Sequence, residues 1–326
     1  MMALLFAACS GNVDVEEETK TLTLSADVLE IPADGLSAVN FTVLYDGEDV
    51  TGAASVKCIS GGADFSGSSF TSEAIGTYVF RAFYDDAVSE EDVTVVVKSR
   101  FQRRVCVMEF TGTWCAQCPE GATTLNFLTG RTYKGKAFAL AFHNDDPYAV
   151  PEEEELRMMF GCEAFPAFVT DMRDAGLLNG GGCSESIETS LYDSQTHCSV
   201  SVACQYDEAS GVVNVSSKVF SEKDASYKMA AYVLEDKIVG EQAQADGSVD
   251  KEYVHRHVVR AMISSSVRGD DLGKIKAGQE KPCSLTFNTD PDWVIDNVSV
   301  AVLVIDEDGH VNNMAVCAAD GGIMEY

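Results

Sequence analysis

An apolar run that ends in two closely spaced cysteines constrains this chain more than any other feature. Val105-Cys106-Val107-Met108-Glu109-Phe110 leads into Trp114-Cys115-Ala116-Gln117-Cys118-Pro119. The pattern predicts a strand that delivers a dithiol to the N-terminus of a helix. There the unpaired N–H groups and the positive end of the helix dipole favour a thiolate at Cys115 over a thiol. The two-residue spacer sets Cys118 one turn on, close enough to close a small disulfide ring or to resolve a mixed disulfide. Half of a zinc site has the same spacing, but zinc needs a second pair of ligands. The chain holds no other Cys-x-x-Cys, and no metal is expected.

The residues that follow continue an alternation of helix and strand. A helix is predicted over 120–128 and a second apolar strand over 137–142. An acidic helix is predicted over 151–160, with proline at its start and carboxylates in its first turn. Phe165-Pro166-Ala167-Phe168-Val169-Thr170 then reads as a strand opened by a proline, and 184–192 as a capped terminal helix after a last strand and loose turn at Gly176–Cys183. The order strand, dithiol, helix, strand, helix, proline-strand resembles the thioredoxin fold. Glu109-Phe110-Thr111-Gly112-Thr113-Trp114-Cys115-Ala116-Gln117-Cys118 is similar to the thioredoxin active-site stretch. That resemblance implies that Cys115 is the attacking thiol and Cys118 the resolving one. It implies a proton-moving role for Glu109 and a cis-proline beside the dithiol at Pro166. Trp114 and Phe165 join Pro166 as the expected substrate-binding residues. Ala116-Gln117 replaces the family's Gly-Pro, so its redox poise does not carry over.

Before this stretch the text is different. Met1 to Cys9 is a short apolar run ending in small residues and a cysteine, and it resembles the end of a bacterial lipoprotein signal with Cys9 as the lipidated residue. It is too short to span a membrane. Polar residues up to 19 read as an acidic tether. From 20 to 99, segments alternating at period two are separated by turn signals such as Ile31-Pro32-Ala33-Asp34-Gly35, which predicts a small β-sandwich. It resembles the immunoglobulin-like modules of bacterial surface proteins, with Phe65 and Phe70 as core anchors.

The β-pattern returns from 196 to 326, with strands predicted over 198–204, 211–220, 228–234, 283–287, 298–305 and 311–317. Asp306-Glu307-Asp308-Gly309 reads as a hairpin turn; it has the first residues of a calcium loop but lacks the later ligands. Tyr253 to Met262 reads as one strand with His255 and His257 on a shared face, again without a third zinc ligand. His143 opens an acidic loop with Asp145 and Asp146 and reads as solvated. The organisation is therefore multidomain: signal remnant and tether (1–19), immunoglobulin-like β-sandwich (20–99), thioredoxin-like α/β domain (100–195) and C-terminal β-sandwich (196–326). The dithiol stretch, Phe165-Pro166 and Tyr253-Val254-His255-Arg256-His257-Val258-Val259-Arg260 together resemble the thioredoxin-like outer membrane lipoprotein family of Bacteroidetes, the outer membrane protein 28 family. That resemblance implies an envelope protein on the periplasmic or surface face of the outer membrane.

A formal net charge of −29 argues against nucleic acid and anionic lipid as electrostatic partners. The expected partners are protein thiols or disulfides of the envelope, and the membrane through the lipid anchor; no cofactor is expected. Eleven cysteines fit an oxidising compartment, and eight remain once Cys9 and the dithiol are set aside. Their pairing is open at this stage, since connectivity cannot be read from one sequence. Two functions compete: thiol–disulfide exchange on exported proteins, and a non-enzymatic surface lipoprotein, an adhesin or ligand binder, in which the Cys-x-x-Cys is only structural.

Overall fold

The structure, a computed structural model, describes residues 20–60, 65–99, 101–173, 180–192 and 196–325. Cys9, the acidic tether and the 176–179 part of the expected last strand and turn lie outside the described residues. The chain divides into two compact units, Met1–Arg100 and Phe101–Tyr326.

The first unit is built of strands. In order they are β1 (Leu22–Ala26), β2 (Glu30–Pro32), β3 (Val39–Tyr45), β4 (Glu48–Asp49) and β5 (Ser55–Cys58). Then come β6 (Ser69–Phe70), β7 (Gly76–Tyr84), β8 (Ala87–Val88) and β9 (Val93–Lys98). One sheet runs β1-β3-β4 with β6 on β3, and a second runs β2-β9-β7-β5 with β8 on β7. Period-two alternation decides which side chains meet between them: Val39, Phe41 and Val43 of β3 are buried while Asn40 and Thr42 are exposed. Phe65 and Phe70 both stack on Phe80, with ring centroids at 5.4 and 4.8 Å, and are core anchors.

The second unit begins with β10 (Val105–Thr111), α1 (Cys118–Phe127), β11 (Ala137–His143), α2 (Glu153–Met159), β12 (Ala167–Thr170) and α3 (Gly180–Tyr192). It continues through β13 (Cys198–Asp207), β14 (Val212–Ser221), β15 (Ala225–Glu235), β16 (Ile238–Ala243), β17 (Val249–His255) and β18 (Val258–Met262). The last strands are β19 (Asp270–Ile275), β20 (Gln279–Asn288), β21 (Val298–Ile305), β22 (Val311–Ala318) and β23 (Ile323–Met324). The turn read at Gly180–Cys183 is the start of α3, which begins four residues earlier than its capping serine suggested.

An eight-stranded sheet organises this unit in the order β12-β10-β11-β18-β15-β21-β22, with β19 on β15. It runs straight across the boundary expected near residue 195. The junction is a parallel bridge in which Ala141 of β11 faces Val258 of β18, and the Ala141 N–H donates to the His257 carbonyl at 2.8 Å. β10 and β11 pair in parallel and are buried on both faces, which is why they read as continuous apolar runs. One face packs Val105, Val107, Ala139 and Phe168 against Leu125 of α1 and Ile187 of α3. The other joins Met108, Phe110 and Phe142 to Tyr232, Leu234 and Leu303 in one core that draws on both sides of residue 195. A four-stranded sheet, β20-β14-β13-β23, covers the second half of the large sheet around Val200, Val215, Val300 and Val302. Pro282 sits in β20, an edge strand, where a missing N–H is tolerated.

The expected strand over 253–262 is broken. His257 adopts φ +55°, its N–H is held by Asp236 Oδ1 at 2.8 Å, and the chain turns there from β17 into β18. His255 and His257 therefore do not share a strand face; His255 is buried, and His257 lies half-buried in the turn. β16 and β17 form a two-stranded hairpin of their own. At the start of β10, Arg103 donates to Asp171 Oδ2 at 2.5 Å and to the Val311 carbonyl at 3.1 Å. Asp171 Oδ1 accepts the Cys106 N–H at 2.9 Å, so one buried ion pair ties β10, the end of β12 and β22 together.

Candidate functional site

The dithiol sits where the strand-to-helix pattern predicts, and it is oxidised. Cys115 and Cys118 form a disulfide, with Cys118 the first residue of α1 and Pro119 and Glu120 in its first turn. Cys115 lies in the turn before the helix and is 5% exposed, against 1% for Cys118. Both residues are buried, Cys115 slightly less so than Cys118.

Phe165–Pro166 is a cis peptide bond immediately before β12. Pro166 packs on the first turn of α1: a Cβ added at Gly121 would stand 2.8 Å from Pro166 Cγ and 3.1 Å from Phe168 Cζ. Trp114, half-exposed, stacks edge-on against Phe165 at 5.2 Å and donates its indole N–H to the Asn144 carbonyl at 2.8 Å. Trp114 and Phe165 therefore meet, and Pro166 lies against the first turn of the helix that Cys118 opens.

Gly121→Ala tests that packing. In an ordinary helix interior the change gains about 0.5–1 kcal/mol. Here the added methyl meets a rigid ring, so the expected result in urea unfolding is a net loss of about 1–3 kcal/mol.

Glu109 lies behind the disulfide. β10 alternates Val105, Val107 and Glu109 toward α1 and α3, so the carboxyl enters an apolar layer and is 3% exposed. Burial raises its pKa to about 8, and the group is mostly protonated at neutral pH. Glu109 and Cys118 line one small cavity of about 20 Å³, together with Thr111, His143, Tyr253 and His255. That is room for a single water. Among the described residues, Glu109 Oε1 and His255 Nε2 are buried without a hydrogen-bond partner, and both residues border this space.

The hairpin β16–β17 closes the site from a distant part of the sequence. Gln242 Nε2 donates to the Cys115 carbonyl at 3.0 Å and to the Gly112 carbonyl at 3.3 Å. The Ala243 N–H donates to the Thr113 carbonyl at 2.8 Å, which pins the hairpin to the turn that carries Cys115. Glycine at 240 makes this seat: a Cβ there would meet Tyr148 Oη at 2.1 Å.

His143 does not match its reading as a solvated loop residue. It ends β11, is 3% exposed, and its Nδ1 shares a 2.6 Å hydrogen bond with Asp146 Oδ2. Burial works to raise the Asp146 carboxyl, but the His143 bond and charge and the N–H groups of Thr113 and Tyr148 outweigh it and hold the group below its usual value. His255 stands 5.4 Å from His143, ring to ring. Burial first, then the neighbouring His143, push the His255 ring down to about 4, so it is neutral at neutral pH. Asp306 and Asp308 form a hairpin turn in which Asp306 Oδ1 accepts the N–H of Asp308 and of His310 at 3.1 and 3.0 Å.

Sequence reasoning missed Gln242 and the placing of His255 and Tyr253 at the dithiol. Gln242 lies 127 positions from Cys115, and nothing local to either residue signals the approach. Asp146 was read only as part of the acidic loop that His143 opens.

The chain matches the family described as Outer membrane protein Omp28 over residues 155–320. It is similar in structure to HBP35 of Porphyromonas gingivalis, with a TM-score of 0.59 and 20% identity over 68% of this chain and 77% of that one. A Bifidobacterium adolescentis GH3 beta-glucosidase aligns at a TM-score of 0.20 and 16% identity, over 39% of this chain and 17% of that one, too weakly to bear on the fold. No curated protein matches the sequence. Among the described residues, no helix is long and apolar enough to cross a membrane.

Proposed function

The chain belongs to the Omp28 outer membrane protein family, a family of the cell envelope, and we propose that this member is an envelope-tethered thiol–disulfide exchange protein. The observation that carries the reading is the disulfide at the N-terminus of α1, with Pro166 packed on that helix's first turn and Glu109 sharing a cavity with Cys118. On this reading the part of the second unit from β10 to α3 is thioredoxin-like. The first unit is an immunoglobulin-like spacer, and Cys9 carries the lipid anchor.

The chemistry follows from the placing of the groups. The reduced protein attacks a substrate disulfide through the Cys115 thiolate, forming a mixed disulfide and releasing one substrate sulfur as a thiolate, which takes up a proton. Cys118 then gives its proton through the one-water cavity to Glu109 in its minor ionised form, which grows as pH approaches 8, and attacks the Cys115 sulfur. The ring closes, the second substrate thiol leaves, and two electrons have passed to the substrate. In the reverse direction, protonated Glu109 supplies the proton that Cys118 needs as the ring opens. Trp114, Phe165 and the backbone before β12 form the ledge on which an extended peptide lies.

A second reading has one observation in its favour. Both sulfurs are nearly buried and the Gln242 hairpin covers their turn, as expected if the disulfide only staples strand to helix in a surface lipoprotein that binds a ligand or a host surface. Turnover separates the two. The full chain, supplied with a dithiol reductant and a disulfide-bonded peptide, is expected to reduce the peptide faster than the reductant alone. A rate equal to the reductant's own removes the exchange reading.

A further inference from the structure

Cys204 lies toward the end of β13, in the four-stranded sheet, and Cys317 near the end of β22, in the eight-stranded sheet. Both side chains enter the core between those sheets and are 6% exposed. Their Sγ atoms stand 3.2 Å apart. Even carbon atoms in contact keep ~3.5–4.0 Å, so the two sulfurs are already closer than packing alone brings most atoms. Burial does not single this pair out, since Cys106, Cys183 and Cys198 are buried as well; the approach of sulfur to sulfur does.

We propose that Cys204 and Cys317 form a second disulfide in the envelope, a covalent staple between the two sheets of the second unit. The strands that carry them are held in place at both ends. At the far end, Asn312 Oδ1 accepts the His197 N–H at 2.9 Å, and Asn313 Nδ2 donates to the Cys198 carbonyl at 3.0 Å. Beside the sulfurs, the Cys204 N–H donates to the Gly322 carbonyl at 3.0 Å, and the Gly322 N–H donates to the Ala318 carbonyl at 2.9 Å. The turn after β22 is thereby tied to β13, and a bond of ~2.05 Å requires the sulfurs to close by about 1.2 Å from their 3.2 Å separation.

The oxidant is a disulfide, either a small one such as oxidised glutathione or that of an oxidising protein. One cysteine thiolate attacks it, forms a mixed disulfide and releases one oxidant thiol. The second thiolate attacks that mixed disulfide and releases the other. Two thiol protons and two electrons leave the pair, and the electrons reside on the reduced oxidant. Because both sulfurs are buried, oxidation takes place before β13 and β22 finish packing, and the closed bond is shielded from reductants afterwards. The loop it closes spans 113 positions, against 3 for the dithiol, so it restricts the unfolded chain far more.

The test is independent of the exchange reading. Full-length protein from the envelope fraction, prepared without reductant, is denatured, alkylated with iodoacetamide and digested. The expected result is a crosslinked pair of peptides carrying unalkylated Cys204 and Cys317. Quantitative alkylation of both overturns the proposal. Protein refolded in a phosphine reductant is also expected to melt roughly 10 °C below protein refolded under oxidation. Cys115→Ser/Cys118→Ser keeps that difference and Cys204→Ala/Cys317→Ala loses it; a difference that survives the second pair of substitutions overturns the proposal. Should that variant fail to fold, the peptide map of the wild-type chain decides alone.

Discussion

Replacing Cys115 with serine is expected to reduce peptide-disulfide turnover to the background of the reductant alone. A serine hydroxyl is not appreciably ionised at neutral pH and cannot displace a thiolate, whereas Cys115 lies just ahead of the positive end of α1, where an anion is favoured. Cys118→Ser should behave differently. It retains the attacking thiol and loses the resolving one, so a mixed disulfide between Cys115 and substrate should accumulate and survive acid quenching. The same species should be absent from Cys115→Ser. Reciprocal trapping, through Cys118 rather than Cys115, would reverse the assigned roles; it would also conflict with the greater exposure of Cys115.

Glu109→Gln is expected to move activity and stability in opposite directions. The Glu109 carboxyl has a pKa of about 8 in the folded chain, above the usual glutamate value of about 4.5, because burial disfavours its charged form. Between those two values the folded protein holds a proton that the unfolded chain has lost. Stability therefore falls as pH rises from about 4.5 to about 8, by up to about 1.4 kcal/mol per unit, and levels off above that. Glutamine has no proton to lose, so the variant should show a flatter profile and resist urea better than the wild type at pH 9. Its exchange should be slower by roughly 10²-fold, the low end for a lost proton-transfer group. The inflection near pH 8 in the rate of ring opening should also vanish. A variant with unchanged rate and unchanged pH profile would remove Glu109 from the chemistry. His143, Asp146, Tyr253 and His255 also border or adjoin this cavity, and the glutamine variant isolates Glu109 among them.

The parts of the site that were legible in the sequence are those carried by short stretches. The mostly apolar β10, the Cys-x-x-Cys and the proline at α1's second residue announce a strand feeding a helix, and Phe165-Pro166 announces an irregular entry into β12. What was not legible depends on pairing between distant strands. β18 lies beside β11 through a single parallel bridge, Ala141 to Val258, too brief to leave a periodic trace. That bridge carries the hairpin β16–β17, and with it Gln242 and His255, onto the dithiol. The same junction makes a continuous sheet from segments that read as two domains, because β15, β21 and β22 present apolar residues on both faces and not on one. His143 was misread for a related reason: its acidic neighbours suggest solvent, but Asp146 turns inward to bond it.

The measurement that bears most directly on the central claim is the redox equilibrium of Cys115 and Cys118. The full chain is equilibrated in glutathione buffers of graded potential, quenched by alkylation, and the dithiol peptide is quantified by mass spectrometry. An exchange protein requires a midpoint among those of redox enzymes, roughly −120 to −270 mV, and that is the result expected here. A midpoint below about −300 mV, where structural disulfides lie, would contradict the exchange reading and leave the dithiol as a staple.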